Sequence, residues 1–158
     1  MFTYQDLLSA ITDPSGREVL DPATGEVVGS VHESTTAELD DAVAAARAAQ
    51  PEWARLGHEK RSEYLHKAAD AVEGNAEALA ELLSREQGKP VKNGPNAAFE
   101  VGGCVAWLRA SADFTLEPEV IVDDESGYAE MHYVPLGVVG AIGPWNWPMM
   151  ITVWQVAS

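Results

Sequence analysis

The chain has 158 residues, a formal net charge of −15 and 46% apolar residues, which is enough apolar material for one sizeable core and too much for a disordered chain. So negative a balance argues against nucleic acid and anionic membranes as partners, because both are held by lysine and arginine on phosphates. No run approaches the roughly 20 apolar residues of a membrane helix, and residues 1–10 carry Asp6 with no basic run ahead of an apolar one, so the expected location is the cytoplasm. The single cysteine, Cys104, allows no intrachain disulfide and no cysteine metal cluster. His32, His58, His66 and His132 fall in no ligand spacing, so they are expected in ordinary surface or core roles, and no metal is expected.

Two short strand-like runs, Arg17 to Leu20 and Glu26 to Val31, flank Asp21-Pro22-Ala23-Thr24-Gly25, a set suited to turning the chain, and together they read as a hairpin. Thr35 and Glu38 stand at capping-box spacing and open a helix with Leu39, Ala42, Val43 and Ala46 along one face. Pro51 is expected to end it. A second helix carries Leu65, Ala68, Ala69 and Val72; Gly74-Asn75 stops it and restarts a third through Leu79, Leu82 and Leu83, which Gly88 and Pro90 close. Phe99, Gly103, Trp107, Ala110 and Phe114 fit one face of a fourth helix that also holds Cys104. That thiol is expected to be a small buried apolar group, since nothing nearby looks like an activating base.

From 128 to 134 the chain alternates as a strand, residues 138–142 read as a short buried strand, and Pro148 suits the first turn of a helix through Met149, Met150, Val153, Trp154 and Ala157. The sequence stops inside that apolar helix, whose buried face still needs a partner, and a truncated domain is the expectation. No internal repeat or low-complexity segment is present.

The informative stretch runs from Pro135 through Val138, Gly140, Gly143, Pro144, Trp145, Asn146 and Trp147 to Pro148, and reads strand, sharp turn, helix. Glycines at 137, 140 and 143 do not form the GxGxxG turn that cradles a pyrophosphate. Asn146 lies at the exit of the expected strand, where open α/β sheets place ligands, and its amide suits a developing oxyanion. On residue chemistry alone the better reading of such an asparagine is a cap or turn, with Trp145 and Trp147 packing around it.

This stretch resembles the Pro-Trp-Asn-Phe/Trp-Pro signature of the aldehyde dehydrogenase superfamily and the Pro-x-Gly-Val-Val-Gly strand before it. Two further segments agree in order: Asp21-Pro22-Ala23-Thr24-Gly25-Glu26 resembles the family's Asn-Pro-Ala-Thr-Gly-Glu turn with Asp for Asn, and Glu86-Gln87-Gly88-Lys89-Pro90 resembles its Glu-x-Gly-Lys-Pro helix end. Neither carries a reacting group, so Lys89 is expected as a solvated side chain at a helix terminus. The resemblance runs from about Leu20 to the last residue. It implies an α/β fold: residues 1–158 as the N-terminal, partial Rossmann-like cofactor domain, with an N-terminal hairpin, a helical segment, and 119–134 as an oligomerisation arm.

What the resemblance implies for chemistry is an NAD- or NADP-dependent oxidation of an aldehyde to an acid through a cysteine thioester. Asn146 would hold the oxyanion, and Ile142, Gly143, Pro144 and Trp145 would line the cofactor cleft. Partners would be a small aldehyde and further copies of the chain, joined through the strand at 128–134. The family's nucleophilic cysteine and general-base glutamate follow the Asn motif by a long interval, whereas Cys104 precedes it. The chain is therefore expected to be inactive alone. The alternative is a noncatalytic truncated paralogue with a structural or interaction role.

Overall fold

The computed structural model describes residues 2–94 and 96–158. A first helix, α1 (Tyr4–Ile11), is opened by a Thr3–Asp6 capping box. Strands β1 (Arg17–Leu20) and β2 (Val27–Val31) pair antiparallel around a turn in which Gly25 N–H donates to the Asp21 carbonyl at 2.8 Å. Gly25 holds φ +75°, a conformation that suits glycine. Glu26, read as part of the second strand, belongs to this turn.

Helix α2 (Thr36–Arg55) begins at the expected capping box, with Glu38 N–H donating to Thr35 Oγ1 and the Glu38 carboxylate receiving Thr35 N–H at 2.7 Å. Pro51 does not end it. A proline inside a helix removes one donor but has a helical φ of its own, and the last turn is held from outside: Trp53 packs on Tyr64 with centroids 5.7 Å apart, and Arg61 donates to the Ala54 carbonyl. The apolar stripe on one face of this helix is uncovered, Leu39 and Val43 being exposed.

Gly57, at φ +75°, turns the chain into α3 (Gly57–Gly74), and Asn75 separates it from α4 (Ala76–Gln87). At the end of α4, Gly88 takes φ +70° and its N–H donates to the Ser84 carbonyl. A Cβ added there would lie 2.5 Å from Pro22 Cγ. Glycine is thus required twice over, once for the left-handed backbone and once for the close approach of the hairpin turn.

Helix α5 (Ala97–Asp113) is the centre of the assembly, packing against α3, α4 and α6 (Pro148–Ala157). Its buried face is Ala97, Glu100, Val101, Cys104, Leu108 and Ala112. The face expected from aromatic spacing is corrected by this result. Phe99 and Phe114 are exposed, Trp107 lies flat against Trp154 with centroids 4.7 Å apart, and Gly103 lets Met150 approach. Small side chains bring helices close together, while aromatics reach round the margins of the contact. One part of the core joins Ala80, Leu83, Ala97 and Val101, and another joins Ala69, Leu108 and Ala157.

Strand β3 (Glu119–Asp124) pairs antiparallel with β4 (Gly127–Met131). The strand expected over 128–134 is therefore shorter, and one of its edges is satisfied within the chain. Both strands are largely exposed. Residues 138–142 form no strand and are exposed, with Ile142 86% accessible. Such a segment becomes a buried strand only between neighbouring strands that take its N–H and C=O groups, and none pairs with it among the described residues. Among those residues no helix is long and apolar enough to cross a membrane.

His32 joins the hairpin to α2, its Nδ1 lying 3.1 Å from Asp13 Oδ2 and its Nε2 2.9 Å from Glu38 Oε1. Hydrogen bonds to Glu38 first and Asp13 second raise its pKa above 6.5. A neutral imidazole carries one N–H and can donate to only one of the two carboxylates. The stabilisation is fully present below the unfolded imidazole value and is lost as pH rises through the raised folded value. The excess melting temperature of the native chain over His32→Gln should therefore shrink as pH rises from mildly acidic to alkaline. A difference that is flat with pH would show that the contact carries no protonation-linked stability.

Candidate active site

The three segments that carry the sequence resemblance meet in space. Pro22 of the hairpin turn rests on Gly88, and Lys89, the next residue, reaches the loop ahead of α6. The expectation of a solvated Lys89 is corrected, for its side chain is only 14% exposed. Its Nζ donates to Glu100 Oε2 at 2.5 Å and to the Asn146 carbonyl at 2.9 Å, and lies 4.6 Å from the centre of the Trp147 ring. An ammonium has three donors. Here they meet a carboxylate, a carbonyl and an aromatic face, each attractive to a cation.

Glu100 has no exposure at all. Its Oε1 accepts the N–H groups of Met149 at 2.8 Å and Met150 at 3.1 Å. Every amide N–H in the first turn of α6 has a partner. Pro148 has no N–H, Ile151 N–H donates to the Trp147 carbonyl, and the two between them go to Glu100. A carboxylate from α5 thus does what an N-cap side chain ordinarily does, at the end of the helix dipole that favours negative charge. The cap position itself, Trp147, makes no side-chain capping bond.

That arrangement bears on Asn146. Neither capping nor closure of the first turn of α6 is assigned to its side chain, which is exposed, while its backbone carbonyl is fixed by Lys89. Of the expected packing partners, Trp147 is half-buried with its ring inclined at 63° to that of Phe99, centroids 5.8 Å apart, and Trp145 is 84% exposed. Ile142 presents its side chain outward while its carbonyl accepts from Gln155 Nε2 at 3.0 Å. A Cβ on Gly143 would lie 2.3 Å from Thr152 Oγ1, so this glycine lets the loop lie against α6. Pro144 is half-buried. Residues 142–145 therefore form an uncharged strip with one side on α6 and the other open.

Sequence reasoning missed Lys89, Glu100, Thr152 and Gln155 as parts of this site. For Glu100 a signal was present: it is the one acid on the helical stripe Ala97, Val101, Cys104 and Leu108. A carboxylate on an apolar face needs a buried partner.

Cys104 lies one turn beyond Glu100 and is fully buried. Burial, and then the nearby Glu100 carboxylate, push its thiol up to about 11, the opposite of what an attacking thiolate requires.

The aldehyde dehydrogenase family model matches residues 11–158, beginning ahead of the first of the three motifs. Betaine aldehyde dehydrogenase from Rhizobium leguminosarum bv. trifolii is 37% identical over 153 residues, which cover 92% of this chain and 30% of that protein. Glyceraldehyde-3-phosphate dehydrogenase GapN from Methanocaldococcus jannaschii, solved with NADP, aligns with a TM-score of 0.82 at 26% identity, over 89% of this chain and 30% of its own. Betaine aldehyde dehydrogenase from Staphylococcus aureus, a double mutant solved with NAD+, aligns with a TM-score of 0.82 at 25% identity, over 93% of this chain and 30% of its own. The chain thus spans about 30% of the length of the relatives it matches.

The buried thiol gives a direct test of the site's limits. A maleimide or disulfide reagent at neutral pH should leave Cys104 unmodified in the folded protein and label it fully in denaturant. Rapid labelling of the folded protein would mean that the thiol is exposed and ionisable.

Proposed function

Because the chain belongs to the aldehyde dehydrogenase family, we propose that it is the N-terminal segment of an NAD(P)-dependent enzyme that oxidises an aldehyde to a carboxylic acid through a cysteine thioester, with Asn146 as the side-chain half of the oxyanion hole. The supporting observation is the division of labour at the start of α6: Glu100 caps the helix, Lys89 holds the Asn146 backbone, and the Asn146 side chain is left exposed. An oxyanion donor works by being oriented before charge develops, so that no reorganisation accompanies the reaction. Thiolate attack on the aldehyde carbon moves an electron pair onto the carbonyl oxygen, and a neutral amide N–H meets that charge without first attracting an anionic competitor.

The cofactor in this reading is NAD or NADP, which when bound would supply the hydride acceptor. Residues 142–145 fit one wall of its cleft: Ile142 and Trp145 offer exposed apolar contact, and Gly143 keeps the wall thin against Thr152. Its phosphates are not assigned to the α6 amides, since Glu100 already occupies those of Met149 and Met150. The nucleophile and general base are assigned by the resemblance to residues that follow the Asn motif, and Cys104 takes neither role. On this reading the 158 residues alone turn over no aldehyde, and the working enzyme is a cytoplasmic oligomer acting on a small aldehyde. The three relatives named above comprise two betaine aldehyde dehydrogenases and one glyceraldehyde-3-phosphate dehydrogenase.

In the full-length enzyme carrying this segment, Asn146→Ala should lower kcat by about 10² to 10³ with little change in cofactor affinity, and Asn146→Asp, which presents a charge of the same sign as the oxyanion, should be at least as damaging. Turnover per folded molecule that survives while the melting temperature falls would reduce Asn146 to a turn residue.

Residues 119–134 serve in this reading as the oligomerisation arm. The hairpin is largely exposed, and among the described residues no strand pairs with the edge of β4 away from β3, which could take another chain. Met131→Pro should then reduce the mass of the full-length oligomer by light scattering at micromolar concentration, because proline withdraws a ladder donor. An unchanged mass would remove the arm from the interface.

A further inference from the structure

We propose that Lys89 and Glu100 are positioning residues for the oxyanion donor: the buried pair clamps the peptide joining Asn146 to Trp147 against the start of α6 and so sets where the Asn146 side chain points. The inference rests on the role given to Asn146 above and deepens it.

Three observations carry it. The pair is buried, with Glu100 wholly inaccessible and Lys89 at 14%, and among the described residues it is the one ion pair in which both side chains are largely out of solvent. Burying two charges is a poor way to gain stability, because desolvation offsets most of the attraction and a well-packed apolar pair does as well or better. What such a pair supplies is fixed geometry. Secondly, the two carboxylate oxygens divide the donors between them, Oε2 accepting from Lys89 and Oε1 from the amides of Met149 and Met150. The carboxylate therefore ties the lysine to the helix residues that follow Asn146 by three and four positions. Thirdly, the lysine donates to the carbonyl of Asn146 itself and lies over the ring of Trp147, so it contacts both residues joined by that peptide. Fixing that carbonyl fixes the rotation of the peptide about the Asn146 Cα, from which the Asn146 side chain departs.

The chemistry assigns Lys89 no contact with substrate and no proton to transfer. Its effect passes through Asn146 alone, which separates it from a structural residue on one side and from a catalytic residue on the other. A misplacement of about 1 Å at a reacting group can cost 10²-fold in rate, so the clamp is worth measuring in kcat.

Removing Lys89 alone strands the Glu100 charge, and that variant can fail to fold. The test therefore uses the double variant Lys89→Met/Glu100→Gln in the full-length enzyme, which removes both charges while the glutamine oxygen still accepts from the α6 amides. It is measured in the native and Asn146→Ala backgrounds, per active site titrated by covalent labelling of the nucleophile. The expected result is a fall in kcat of about 10- to 100-fold in the native background, cofactor KM within about twofold, and less than about threefold further loss once Asn146 is alanine, since coupled residues do not add. Unchanged kcat in the native background overturns the clamp. So does an equal fall in both backgrounds, which would mean that the pair acts elsewhere. If Asn146→Ala itself leaves kcat intact, the oxyanion assignment has failed, an outcome distinct from failure of the clamp with that assignment intact.

Discussion

A carboxylate cut off from water has to be met by donors, and the structure is organised around how Glu100 is met. Two donors are the amides of Met149 and Met150, which a helix beginning with proline leaves for some other group to satisfy. The third is the Lys89 ammonium. From this constraint follow the docking of α6 on α5, the direction of the chain as it leaves Gly88, and the orientation of the Asn146 peptide. Pro22 against Gly88 then brings the hairpin turn into the same neighbourhood. Three short motifs separated by long stretches of sequence are thus parts of one contact network, which explains why two of them contain no reacting group.

Where no strand pairs with a segment among the described residues, the same physics gives the opposite result. Val138, Val139 and Ile142 are β-branched residues in a stretch that reads as a buried strand, yet they lie in the open, Ile142 at 86% exposure. A parallel strand has no internal hydrogen bonds, and its ladder depends on neighbours on both sides. Helices are less dependent, because their bonds are local, and so α2 forms from its capping box and composition although it buries no residue. The chain matches about 30% of the length of its relatives; its helices stand as helices and its expected sheet strand does not stand as a strand.

Legibility in the sequence divides along the same line. Capping at Thr35 and Glu38, the stops at Gly74 and Gly88, and Pro148 at the start of α6 can be read because each is set by a few adjacent residues. The end of α2 cannot, since Pro51 is overridden by Trp53 on Tyr64, a contact between residues eleven apart. The buried face of α5 escapes a reading that weighs aromatic spacing above the small-residue stripe beside it. In the site, the role proposed for Asn146 comes from resemblance alone, and Lys89 reads as solvated because nothing local to Gly88 and Pro90 announces Glu100 eleven residues on or a carbonyl fifty-seven residues on.

The closed charge balance of the clamp constrains how the site would work. Lys89 and Glu100 neutralise each other at hydrogen-bond distance, so the pair projects little field toward a reacting centre, and the remaining charge of the protein is screened over about 8–10 Å at physiological ionic strength. A lysine facing the substrate without its glutamate would attract anions indiscriminately and would be no better for the transition state than for them. With its positive charge satisfied behind the loop, the wall that residues 142–146 present is neutral, and selectivity for a developing oxyanion would have to come from the direction of an amide dipole. Direction is a geometric property, and geometry is what a buried, fully bonded ion pair is suited to hold. The polarity inside α5, out of place by the rules of an apolar core, therefore makes chemical sense at the surface of the loop it restrains.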